Sequence, residues 1–166
     1  MADEASCERY ELRKIRFDLE RAPSDAWPPV RFEALWARRS GDHAYVLDNI
    51  PFYVYGVSLG DEVYADDADA DGYLSYRRVL RHNGHSTFRM RLTAASPEED
   101  LPFVRDLMKT LCDVGCGTEH DVGGVIAVDA PPGCPLGAVI DVLKLGNEEH
   151  VWTYEVGFVF TTEGDP

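Results

Sequence analysis

The chain has 166 residues, 45% of them hydrophobic, and a formal net charge of −14. That is enough apolar material for one domain or two small ones packed together, and no apolar run approaches the roughly 20 residues of a membrane-spanning helix. Residues 1–91 carry 13 basic against 16 acidic side chains, whereas residues 92–166 carry 3 against 14, a field that repels nucleic acid and attracts a basic protein.

The first part reads as β structure. Ile15, Phe17 and Leu19 alternate with polar residues along Tyr10–Leu19. Pro28-Pro29 punctuates the chain. Extended runs at Val30–Arg38 and His43–Asp48 flank the turn Arg39-Ser40-Gly41-Asp42. Asn49 to Tyr53 is a turn entering an apolar extended segment, and Gly56–Asp61 is a second turn. Glu62–Ala65 and Tyr73–Arg81 form the arms of a hairpin. Short strands this closely spaced predict a small barrel or rolled antiparallel sheet over residues 1–84.

After Ser86 the period changes. Phe88, Met90 and Leu92 alternate with Arg89, Arg91 and Thr93, the pattern of a half-buried strand. Ser96, Pro97 and Glu99 are the cap, first-turn proline and capping-box acid of a helix. Its apolar stripe is Leu101, Val104, Leu107, Met108 and Leu111, and Gly115 or Gly117 ends it. A strand at Thr118–Val122, a Gly123-Gly124 turn and a strand at Val125–Ala130 follow. Leu136, Val139, Ile140 and Leu143 mark a second helix, closed near Gly146, before a last strand at Val151–Phe160. The order β-α-β-β-α-β predicts a ferredoxin-like domain over residues 85–166, and an α+β chain as a whole.

Most candidate chemical motifs have simpler structural readings. Asp67, Asp69, Asp71 and Gly72 match the first positions of a calcium-binding loop, yet Arg78 stands where the bidentate Glu belongs, so an acidic hairpin tip is expected. Cys112, Cys116 and His120 are spaced by four, but Gly115 interrupts any common helical face, which favours buried structural thiols over zinc. The four cysteines form no disulfide framework by their spacing. His82-Asn-Gly-His85 beside Ser86 reads as a turn, without an identifiable triad. The arginines among Phe32, Trp36, Tyr45, Phe52, Tyr53, Tyr55, Tyr73 and Tyr76 raise single-stranded RNA, against a net-acidic field; core aromatics with arginines on polar strand faces are the plainer account. No cofactor or resident metal is called for.

Taken together, Leu35-Trp36-Ala37, Leu47-Asp48-Asn49-Ile50-Pro51-Phe52, Gly56-Val57-Ser58-Leu59-Gly60-Asp61 and Gly84-His85-Ser86-Thr87 with Arg89 resemble the signature of a bacterial domain-of-unknown-function family, with likeness running from about residue 12 to 157. The resemblance implies a bacterial, cytoplasmic protein and no particular reaction; the polar N-terminal stretch, which is no signal peptide, agrees with the cytoplasm.

Two functional expectations follow. The first is a non-enzymatic acidic binding protein, an immunity-type or antitoxin-like inhibitor that docks Glu98, Glu99, Asp106, Asp113, Glu119 and Asp121 on a basic partner. The second is an enzyme or small-anion sensor with Asp48, Asp61, His85, Ser86 and Arg89 gathered where the two halves meet, Arg89 for an anion and His85 for proton transfer.

Overall fold

In the computed structural model, residues 11–20, 27–93, 102–121 and 123–161 are described. The strands are β1 (Leu12–Asp18), β2 (Phe32–Arg39), β3 (Ala44–Leu47), β4 (Glu62–Ala68), β5 (Leu74–Arg81), β6 (Ser86–Leu92), β7 (Gly117–His120), β8 (Val125–Ala130) and β9 (Trp152–Phe158). Helix α1 (Pro102–Asp113) follows β6, and α2 (Leu136–Glu148) follows β8. The protein is therefore α+β, mostly β, with two sheets.

Strands β1 to β5 form an antiparallel meander that closes on itself as a barrel through parallel pairing of β1 with β5 at Ile15 and Leu74. Alternation makes this possible: Ile15, Phe17, Leu35, Ala37, Tyr45, Leu47, Val63 and Ala65 all point inward and are buried. Three register shifts between β4 and β5 supply the local bending that a five-stranded closure needs.

The second sheet has the order β7-β8-β6-β9, antiparallel throughout. Both helices pack on one face of it. Phe88, Met90, Ile126, Val128 and Trp152 from the sheet meet Val104, Leu107, Leu111, Val139 and Leu143 from the helices in a core separate from that of the barrel. Each such side chain contributes about 1.5–3 kcal/mol on burial.

Helix α1 ends as expected at Gly115, whose φ of 99° is open to glycine. Cys116 N–H donates to the Leu111 carbonyl at 3.0 Å and Gly115 N–H to that of Cys112 at 2.9 Å, a Schellman ending. The predicted start of this helix at Ser96 lies outside the described residues.

Helix α2 ends near Gly146, two residues on at Glu148. His150 takes the left-handed position (φ 58°), and Val151 N–H reaches back to the Gly146 carbonyl at 2.8 Å. Gly146 is where the Trp152 indole crosses the helix, leaving no room for a Cβ. The indole N–H then donates to Leu143 O at 2.9 Å.

The alternation of Phe88, Met90 and Leu92 implies a half-buried strand, yet Ser86 through Met90 are all buried. The face opposite the helices is covered by the chain between β3 and β4, residues 48–61.

Candidate functional site

Residues 48–61 form a seam between barrel and sheet, and their backbone is held by buried charge. Glu33 lies in the inward phase of β2 with Leu35 and Ala37. Its carboxylate accepts three consecutive backbone N–H groups, from Phe52 (2.7 Å), Tyr53 (2.8 Å) and Val54 (2.9 Å). From the opposite side Arg89, 1% exposed, donates to the carbonyls of Tyr53 (3.0 Å) and Val54. The same guanidinium pairs with Glu155 at 3.0 Å and lies 4.4 Å from the centre of the Tyr55 ring. Gly157 leaves the space through which it passes, since a Cβ there would stand 2.7 Å from Arg89 Nη2.

Burial pushes the Glu33 carboxyl above its usual range, while the three N–H donors and Arg89 oppose that shift. All three donors present hydrogens to it, so the ionised, acceptor-only form is the one this geometry accommodates.

Further acids turn inward at the seam. Glu119 accepts Ile50 N–H at 3.2 Å, and Asp121 accepts the Tyr53 hydroxyl, which burial and that carboxylate hold well above the usual tyrosine range. Tyr55 donates to Glu155 at 2.8 Å. Asp61, fully buried, accepts N–H groups from Ser58 (2.9 Å) and Asn83 (3.0 Å) and pairs with His82 Nδ1 (2.9 Å), whose ring stacks on Phe158. Asp129 pairs with His85 Nδ1 at 2.9 Å; burial raises its carboxyl, and the hydrogen bond from His85 opposes the rise. Thr87 donates to Ser58 Oγ at 2.8 Å, and Ser86 Oγ accepts Phe160 N–H at 3.0 Å.

Of the residues expected to gather where the halves meet, Asp61 and Arg89 lie in the seam and His85 pairs with Asp129 beside it, whereas Ser86 shares the strand phase of Phe88 and Met90 on the helical side. Asp48 does not lie in the seam: it faces outward from the barrel and pairs with Arg38 at 3.1 Å. Of the expected docking acids, Asp106 and Asp113 are exposed on α1, where Asp113 pairs with Lys109. Glu119 and Asp121 are taken up by the seam, and Glu98 and Glu99 lie outside the described residues. The four described positions therefore do not form one continuous face.

The Asp-rich hairpin ties itself together. Asp69 accepts N–H groups from Asp71 (3.0 Å) and Tyr73 (2.9 Å), and the Tyr73 bond is the main reason its carboxyl is held below the usual range. Asp66 and Asp67 both pair with Arg77. The carboxylates thus point to separate donors rather than converging on a cation.

Beside the seam a cleft of about 560 Å³ opens over the same face of the sheet, lined by Trp27, Arg89, Arg91, Val125, Thr153 and Glu155 among others. Arg91 is exposed and its guanidinium lies 5.4 Å from the centre of the Trp27 ring. Among the described residues no carboxylate stands within ion-pair distance of Arg91. Sequence reasoning missed Glu33 and this cleft. The signal for Glu33 was present, because its position shares the inward phase of Leu35 and Ala37; nothing local marked Trp27 and Arg91 as neighbours.

The chain belongs to the family described as Domain of unknown function (DUF4265), whose model matches residues 33–154. A crystal structure of a hypothetical protein from Neisseria gonorrhoeae is similar to it in fold, with a TM-score of 0.70 at 15% identity, covering 92% of this chain and 97% of that one. No match was found among curated proteins.

Proposed function

We propose that this member of the family is a non-enzymatic binding protein that takes a small planar organic anion in the cleft beside Trp27. The observation that carries the reading is Arg91, a cation stacked near an indole and free of any carboxylate partner among the described residues, at the mouth of a cleft large enough for a small ligand. A flat ring would lie against the Trp27 face, with its acid group on Arg91. Thr153 supplies a hydroxyl, and Glu155 accepts from a ligand N–H or O–H while repelling a second negative charge. Arg89, by contrast, is committed to the seam and acts as scaffold. Within this reading residues 1–84 are a barrel module and residues 85–166 a ferredoxin-like one, and the protein acts in the cytoplasm.

The test uses simple probes. Indole-3-carboxylate, nicotinate and benzoate are titrated at millimolar concentration while Trp27 fluorescence and the amide NMR signals of residues 89–91 and 153–155 are followed. Saturable shifts confined to these residues and lost in Arg91→Ala are expected. A wild-type protein whose cleft signals do not move with any planar carboxylate removes the proposal.

A second reading keeps the acidic docking surface, because Asp106, Asp113, Asp141, Glu148 and Glu149 are exposed on the helical layer. There the protein would be an immunity-type or antitoxin-like inhibitor of a basic partner. Its affinity would fall with salt and with the double reversal Asp106→Lys, Asp113→Lys; a partner recovered equally well by that variant sinks it.

A further inference from the structure

Cys116 and Cys134 come together although 18 residues separate them, with their sulfurs 3.8 Å apart. Cys116 sits at the Schellman ending of α1, fixed by its N–H bond to Leu111 O, and is 7% exposed. Cys134 sits in the Pro131-Pro132-Gly133-Cys134-Pro135 entry to α2, fixed by its N–H bond to Pro131 O at 3.0 Å, and is half-buried. Its thiol points toward the Val114 carbonyl at 3.3 Å, in the same turn that carries Cys116. Cys112, the neighbouring cysteine on α1, is exposed.

We propose that Cys116 and Cys134 are a redox modification site, a dithiol that closes to an intramolecular disulfide when the protein meets hydrogen peroxide. The backbone at both ends is anchored by hydrogen bonds, and the sulfurs have to close from 3.8 Å to about 2.0 Å. The two thiols have unequal roles. The half-buried Cys134 meets the oxidant first: its sulfur attacks one peroxide oxygen, the O–O bond breaks, and water leaves as Cys134 becomes a sulfenic acid. Cys116 sulfur then attacks the Cys134 sulfur, forming the S–S bond and expelling the hydroxyl as a second water. In sum, two thiols are oxidised by two electrons and one hydrogen peroxide is reduced to two waters.

The order is consistent with the surroundings of Cys116. Burial, together with its contact to Cys134, pushes that thiol up to about 12, so it is a poor first nucleophile. The resulting bridge would tie the end of α1 to the start of α2 and leave Cys112 reduced.

The test is made on the reduced full chain treated with a small excess of hydrogen peroxide and then alkylated. Expected are a mass loss of about 2 Da before alkylation, a Cys116–Cys134 cross-linked peptide under non-reducing digestion, and reversal by dithiothreitol. Cys112→Ser retains the bridge. Cys116→Ser cannot form it and leaves a sulfenic acid at Cys134 that dimedone traps. A wild-type protein that forms no bridge, or one that forms it through Cys112 or Cys7, overturns the assignment.

Discussion

The outer wall of the barrel and the seam behind it use charge in opposite ways. On the wall, Arg38 meets Asp48, Arg77 meets Asp66 and Asp67, and Arg16 meets Asp18 and Asp69, all between strand neighbours or close residues and mostly open to water. Exposed pairs of this kind contribute roughly 0–1 kcal/mol each. In the seam, Glu33, Asp61 and Arg89 are buried and each is met by several backbone groups. The wall shows charge as solubility; the seam shows charge as the means of fixing a fourteen-residue connection (48–61) that has little regular structure of its own. A net charge read from composition merges the two. Among the acids of the second half, Glu155 faces Arg89 and Asp129 faces His85, whereas Glu119 and Asp121 accept from neutral donors and keep their charge.

The sharpest way to break this contrast is Glu33→Ala. It leaves three backbone N–H groups at Phe52, Tyr53 and Val54 without acceptors and removes the carboxylate facing Arg89. The expected loss is about 3–5 kcal/mol, read by urea unfolding, with the barrel and sheet signals separating into two transitions. A single transition at the wild-type midpoint means the seam is not held by Glu33. Gly157→Ala is expected to cost about 1–3 kcal/mol, because the new Cβ displaces Arg89 from the Tyr53 and Val54 carbonyls.

The pH dependence of the seam has a definite sign. Burial raises the Asp129 carboxyl, so its contribution to stability is present below the unfolded carboxyl range and is lost as pH rises through the raised folded value. Asp129→Asn removes that titration. Wild-type stability relative to the variant is therefore expected to fall as pH rises above the unfolded carboxyl range near about 4, and parallel stability curves contradict the sign. The smallest effect belongs to the wall: Arg38→Ala is expected to change stability by less than about 1 kcal/mol, and a loss comparable to that of Glu33→Ala would erase the distinction between the two regions.

Much of the fold was legible because it rests on local rules. Alternation located the barrel strands, the apolar stripe Val104, Leu107 and Leu111 located α1, and Gly115 located its end. The seam was less so. Asp61, His85 and Arg89 meet at or beside the seam, but as a scaffold rather than as a pocket, and Ser86 turns to the helical side. Asp48 was expected there too, although its partner Arg38 lies on the adjacent strand at the barrel surface.

The sequence by itself determined the period of each element, the turns between them and the excess of acid in the second part, since these depend on residues a few positions apart. Only the tertiary structure decided which charges are buried. Glu33 and Phe52 are 19 positions apart, and Arg89 and Val54 are 35. Whether a strand has one buried face or two depends on what lies across it, and for β6 that is the 48–61 connection. The same holds for the sulfurs of Cys116 and Cys134, whose meeting depends on how the end of one helix packs against the start of the other.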